Sequence, residues 1–573
     1  MDTTTEDSLR QRIAAELNSR ETLAASSHWL SAIATGQASR ALEDALFFGP
    51  PSEFLHQVAL LPDEISRLSP PNLPLQADII RFVSGLAIAL RSHLPSWRLL
   101  TILSRQELET AAESLSTLTT DLAARWPGAT AAVLATWHAS AAARLKSEGL
   151  NNPIAAADAL VEKGVSGYLE AISQAIQSGY LRSLADLRFT GRSRTEIGND
   201  YAAYLDHAML LGASFVTTNP PLVDTAWDAN PTHWNGVVDA IVAAHHRANV
   251  SDLARLVTLE VVLANMRLLR PIFLLTKGSM GYVSLQVNPK EHANTSAMIA
   301  DAEAIYADLT AKLAGGVPNV VFKLPATQAG LQACEHLTNK GIGVNITINF
   351  GLFQEMAFAP MIRKGHALVS YLTVMNGRLS YPVRDELLAR LGQPAQWDVD
   401  EGVARRAAAW AGVAIVKRLV ARLAADGYDL TRVRPLVASL RWYSGQVYEG
   451  LPSPCPDVTE CIGVPVLTVF PNVRRSLDDT ASLPLAGNQV AAPVPAEVLD
   501  VLSHSELFRQ AYWLPGDTCF RPEHPIFLKD EAATAAWQPV RTTIDEFSRA
   551  YDRFCQKILA RQAASSGEQA VAG

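Results

Sequence analysis

Lys323 stands alone in an apolar run, Val320-Val321-Phe322-Lys323-Leu324-Pro325-Ala326-Thr327. Side chains alternate faces along a strand, so Val321 and Lys323 point the same way. An ammonium on a buried face is costly without a partner, and desolvation drives a lysine toward its neutral amine. A neutral amine attacks a ketone carbon and forms a Schiff base. The plainer alternative is a strand-end lysine whose stem lies on apolar surface while its head reaches water. Two further polar pairs recur at strand spacing, Asn345 with Thr347 and Ser439 with Arg441. The members of each pair share one face. Such pairs either meet a ligand or bond their neighbours inside a core. Arg378 and Arg441 carry the fork of donors that suits a phosphate, although a surface salt bridge is a frequent fate of arginine.

Bulk composition narrows the setting. Of the 573 residues, 48% are hydrophobic and 18% charged, which is ordinary for a soluble globular chain. A net charge of −8, with no basic stripe, argues against nucleic acid as a partner. The five cysteines, Cys334, Cys455, Cys461, Cys519 and Cys555, are odd in number and scattered, so a reducing cytoplasm fits better than a disulfide framework. Cys455 and Cys461 do not have zinc-ligand spacing, and no metal is expected. The acidic, polar N-terminus is unlike a signal peptide. The apolar run from Phe82 to Leu90 is about half a membrane span, so no membrane segment is expected.

The positioning elements divide at about residue 185. Residues 1–185 read as a helical extension of unassigned role, with apolar residues at helical spacing in Leu108, Ala111, Ala112, Leu115 and Leu118. Breaks fall at Gly49-Pro50-Pro51 and Trp126-Pro127-Gly128. Residues 186–573 alternate strand and helix, which argues for a parallel α/β sheet. Eight strands are expected near 194–198, 213–217, 283–287, 319–323, 343–348, 367–374, 435–440 and 465–470. Helices are expected over Asp200–Leu211, Ser251–Leu269, Asn294–Ala314, Gln328–Asn339 and Asp400–Ala425, with a final amphipathic one over Thr543–Ala563. Eight such units predict a (β/α)8 barrel, whose active site lies at the carboxyl ends of the strands.

Four stretches, in order, resemble the transaldolase family: Thr217-Thr218-Asn219-Pro220-Pro221-Leu222, Gly281-Tyr282-Val283-Ser284-Leu285-Gln286-Val287-Asn288-Pro289, Val321-Phe322-Lys323-Leu324-Pro325-Ala326-Thr327 and Gly343-Val344-Asn345-Ile346-Thr347-Ile348-Asn349-Phe350. The resemblance covers about residues 190 to 560 and leaves the helical extension unmatched. It implies a cofactor-free transferase that moves a dihydroxyacetone unit from a sugar phosphate to an aldehyde acceptor. It also implies a closing helix over the barrel, and it leaves a homo-oligomer open.

Residue by residue, the resemblance makes Lys323 the Schiff-base nucleophile. Asn219, Asn345 and Ser370 would orient the sugar, Thr347 would hold a catalytic water, and Arg378, Ser439 and Arg441 would take the phosphate. Two positions depart from the pattern. Gln286 stands where transaldolases carry a glutamate; a glutamine orients water but exchanges no proton. Fructose-6-phosphate aldolases carry glutamine there, paired with a tyrosine on strand six, where Tyr371 is shifted by one. In the first strand the expected aspartate position falls on Ile197. Glu196 serves as acid/base if the strand end is offset by one, and Asp200 serves if the helix starts late; the third reading is an altered relay and a reaction other than ordinary transaldol transfer. The alternatives are an aldolase that releases the three-carbon unit and a sugar-phosphate-binding barrel without turnover.

Overall fold

The computed structural model describes residues 5–68, 71–391, 399–517 and 531–572. Cys519, part of the cysteine argument above, lies outside them; Cys334, Cys455, Cys461 and Cys555 are buried free thiols. Eight parallel strands close into a barrel: β1 (Glu196–Asn199), β2 (Ala213–Thr217), β3 (Tyr282–Gln286), β4 (Val320–Pro325), β5 (Val344–Thr347), β6 (Ser370–Met375), β7 (Val433–Ala438) and β8 (Val466–Val469). Every strand pairs with its sequence neighbour, and β1 pairs with β8. The strands are rich in β-branched residues and buried nearly throughout, as a sheet covered on both faces requires.

Several boundaries differ from expectation for identifiable reasons. The helix expected from Asp200 starts only at Leu205. The Asp200 amide still donates to the Val469 carbonyl of β8 at 3.1 Å, and Tyr204 has a left-handed backbone (φ 53°) that no helix continues through. The sixth strand starts at Ser370 rather than 367, and the seventh ends at Ala438, because Ser439 is also left-handed (φ 59°). The span expected as one helix from Asp400 is two, Glu401–Ala409 and Ala411–Ala425, parted at Trp410. The final helix is longer than expected, Gln538–Ala572.

The helical extension docks against the amino ends of the strands. Its last helix, Tyr180–Phe189, crosses that end so closely that a side chain at Gly212 would meet Ala185 Cβ at 2.3 Å; Gly212 also has a φ of 112°. Arg10 and Arg12 donate to the Lys277 and Gly315 carbonyls just before β3 and β4. Glu148 forms a buried ion pair with Arg474 beyond β8, and the part-exposed Glu16 pairs with buried Arg270. Apolar residues from Leu9 to Val133 share one continuous core with the barrel. The helix Leu73–Arg91 is the one helix among the described residues long and apolar enough to cross a membrane, yet Ile79, Ile80, Phe82, Val83 and Leu86 are sealed in that core.

At the opposite end, the helix Gln538–Ala572 lies across the barrel mouth. It packs on helices Pro220–Ala229, Val250–Leu275 and Asn376–Arg390, which follow β2 and β6 or precede β3. Trp537 seats its ring against Phe350 and Phe353 just after β5, with centroids 6.2 and 5.3 Å apart.

Candidate active site

Lys323 points into the barrel beneath this cover, 7% exposed. Gln286 of β3 and Asn345 of β5 are its register neighbours. Burial pushes its ammonium down to about 8, while the Asp200 carboxylate pulls the other way. An amine held there is neutral in a useful fraction at neutral pH, which a nucleophilic lysine needs. Asp200 stands at the carboxyl end of β1, just past Asn199, and shares a face with Glu196 and Gly198 by alternation. Burial raises its carboxyl; the Lys323 charge, the Thr217 hydroxyl, Arg378 and Arg441 oppose the rise. The Thr217 hydroxyl donates to Asp200 Oδ1. A buried carboxylate beside a buried amine, each drawn toward its neutral form, suits proton exchange between them.

Glu196 occupies the other end of the strand. It opens β1, pairs with Arg434 at 2.8 Å and accepts from the Ser214 hydroxyl at 2.8 Å. Arg434 lies over the Tyr371 ring, which packs on Phe215. This is a structural layer at the amino end; of the two acid/base candidates, Asp200 is the one whose charge acts on Lys323. We expect Glu196→Gln to lower the melting temperature sharply, because breaking a buried pair costs about 3–5 kcal/mol. Turnover of the folded fraction should stay within about threefold, far from the ~10²–10⁴-fold of a lost acid/base. Thermal melts with rate assays decide this: a hundredfold slower, fully stable variant would return the role to Glu196.

Three other expected roles meet geometry of a different kind. Ser370 is the first residue of β6, where its hydroxyl accepts from the Val344 amide at 3.2 Å; it sits at the amino end and cannot orient a substrate at the mouth. Asn345 is engaged inside the barrel, donating to the Ser284 hydroxyl at 2.8 Å and accepting from Thr373 at 2.5 Å. Tyr371 is buried near the amino end, and Met375 closes β6 instead. Thr347 is freer: its hydroxyl reaches only the Met375 sulfur at 3.9 Å, a weak acceptor that leaves it able to hold water.

Asn219 caps the helix Pro220–Ala229, its Oδ1 accepting from the Leu222 amide at 2.9 Å. With Gln286 it lines a cavity of about 370 Å³ between the loops after β2 and β3 and the closing helix, together with Arg255, Asp301 and Tyr551. Gln286 Oε1 is buried without a partner. On the far side of the mouth, Arg441 donates back to the Ser439 and Leu440 carbonyls and lies over Tyr381. Its stem passes within 2.3 Å of where a Cβ on Gly377 would be, so only glycine fits at the start of the helix carrying Arg378. Neither Ser439 nor Arg441 lies on a strand, so they do not share a strand face.

A buried acid absent from the sequence reading lies behind β5. Glu355 is fully buried, and neither carboxyl oxygen has a partner in hydrogen-bonding geometry, although the Asn349 amide is beside it. Burial raises it to about 8 from its ordinary 4.5. A raised folded-state value stabilises the protein fully below the unfolded value, and that stability is lost as pH climbs through about 8. Glu355→Gln should therefore raise the melting temperature relative to the parent more at pH 8.5 than at pH 5; a pH-independent difference would show that the carboxyl is not neutral in the fold.

Comparison with known proteins follows the same outline. The profile of the family described as Transaldolase/Fructose-6-phosphate aldolase matches residues 204–506, more than half of the chain. The match begins after β1, so Glu196, Asp200 and the helical extension lie outside it. Transaldolase 1 of Streptomyces avermitilis is 33% identical over 188 residues, covering 33% of this chain and 46% of that protein. Transaldolase 2 of the same organism is 33% identical over 183 residues, covering 32% and 45%. A transaldolase of Acidothermus cellulolyticus is 29% identical over 224 residues, covering 37% and 57%. The chain thus spans about half the length of the curated relatives it matches.

Proposed function

Because the chain belongs to the transaldolase/fructose-6-phosphate aldolase family, we propose that it moves a dihydroxyacetone unit from a ketose phosphate to an aldehyde acceptor through a Schiff base on Lys323. The observation that carries this reading is the buried Lys323 amine, lowered to about 8 beside the Asp200 carboxylate. The neutral amine adds to the donor's C2 carbonyl, and the carbinolamine loses water to give a protonated imine. Asp200 takes the proton from the C4 hydroxyl as the C3–C4 bond breaks; the C4 fragment leaves as a phosphorylated aldehyde, and the bonding pair passes into the imine as an enamine. The enamine carbon then attacks the acceptor aldehyde, Asp200 returns its proton to the new hydroxyl, and hydrolysis frees the product and Lys323. Thr347 and Gln286 hold the water of the imine steps. Asn219 faces the sugar from the rim, and Asn345 acts by fixing the barrel interior beside Lys323. Arg378 and Arg441, with Ser439 on the Arg441 loop, take the phosphate. A place in pentose phosphate metabolism and a cytoplasmic setting accord with this chemistry.

Gln286 favours a second reading, an aldolase that releases the three-carbon unit. The strand-six tyrosine that would pair with it, Tyr371, faces the amino layer instead. Incubation with carbon-13-labelled fructose 6-phosphate, with and without erythrose 4-phosphate, separates the two. Label in a seven-carbon sugar phosphate only when acceptor is present supports transfer; free labelled dihydroxyacetone at the same rate without acceptor supports the aldolase. Label in neither removes both.

A further inference from the structure

The closing helix brings a carboxylate onto one of the residues assigned to the donor phosphate. Arg378 Nη1 donates to Glu546 Oε2 at 2.5 Å and Nη2 to Oε1 at 2.7 Å. This is the same two-pronged grip a guanidinium offers a phosphate. The neighbouring Phe547 ring sits against the guanidinium, 5.4 Å from centre to centre. The tail therefore holds Arg378 by its edge and by its face. Those two N–H groups cannot serve a phosphate while Glu546 has them. Arg441 is itself partly engaged, its Nη1 turned back on the Ser439 and Leu440 carbonyls.

The pair is built to be displaced. Its side chains are 22% and 46% exposed, on the rim of the mouth, unlike the sealed Glu196–Arg434 pair. Half-exposed pairs contribute little net stability. The helix does not depend on this contact: Lys557 binds Asp224 and Asp228, Lys290 binds Asp552, and the Trp537 indole donates to Gln510. Glu546 can thus swing away while its helix stays in place. Resting on the assignment of Arg378 to the phosphate, we propose that Glu546 is a specificity-determining residue that competes with substrate phosphate for Arg378. A phosphorylated substrate must displace Glu546; an unphosphorylated one leaves the pair intact. The tail thereby lowers the premium the site places on a phosphate.

The test uses the full chain. Inorganic phosphate is titrated calorimetrically into the parent, Glu546→Gln, Arg378→Ala and the double variant, with Arg378→Lys as the background if Arg378→Ala does not fold. The same proteins give kcat/KM for fructose 6-phosphate and for fructose. We expect Glu546→Gln to tighten phosphate about two- to fivefold. The preference for the phosphorylated ketose should rise by a similar factor through KM, and no gain should remain without Arg378. Unchanged or weaker phosphate binding in Glu546→Gln, or a gain that survives loss of Arg378, overturns the proposal. Borohydride trapping at Lys323 is read separately, so failure of the Schiff-base chemistry and failure of the competition are distinguishable.

Discussion

Lys323→Ala should abolish turnover in a protein that still folds. No other lysine lies on β4, so the covalent route has no substitute. A lost covalent nucleophile acts on the scale of about 10⁵-fold or more. Folding should tolerate the change, because the Lys323 amine makes no hydrogen bond or ion pair among the described residues and burial already disfavours its charged form. One local change is expected: the Lys323 charge holds the Asp200 carboxyl down, so Asp200 should titrate higher in the variant. In the parent, the rate of imine formation should climb with pH through about 8, as the ammonium deprotonates. Circular dichroism, turnover and a pH series of trapping yields check these together. Residual turnover within tenfold of the parent would place the nucleophile elsewhere.

Asp200→Asn carries the second large effect, a loss of about 10²–10⁴-fold in turnover, the usual range for a general acid/base. It also has a signature that a structural role lacks. The Asp200 charge keeps the Lys323 ammonium from falling further. Removing it should lower the lysine's pKa, so trapping begins at a lower pH even while turnover collapses. The carboxamide keeps the shape and can still accept from Thr217, which limits any loss of stability. Trapping profiles of parent and variant across pH 5 to 9 make the comparison. A profile that stays in place, with a rate within tenfold, would remove Asp200 from the proton path.

The barrel was legible because its strands are continuous apolar runs separated by amphipathic helices. β2 is read without error, and β3, β4 and β5 are read to within about two residues. Lys323 was legible for a related reason: one charge inside such a run has few structural uses. What escaped depends on contacts distant in sequence. Asp200 looked like the first residue of a helix, but the hydrogen bond from its amide to Val469 of β8 carries the strand pairing one residue past β1. Ser370 looked mid-strand because the apolar residues before it extend the pattern three positions too early. Ser439 and Arg441 looked like one face until a left-handed residue ended the strand. The grip of Glu546 on Arg378 joins residues 168 apart, which no local pattern carries. The unmatched helical extension proves to share the barrel's core at the end away from Lys323.

The central claim is that Lys323 forms the imine. Borohydride reduction in the presence of fructose 6-phosphate, followed by peptide mapping by mass spectrometry, tests it most directly. The account predicts a reduced dihydroxyacetone adduct on the peptide bearing Lys323, in stoichiometric yield at pH 8 and absent from Lys323→Ala. An adduct on any other lysine, or none with the folded parent protein, would contradict it.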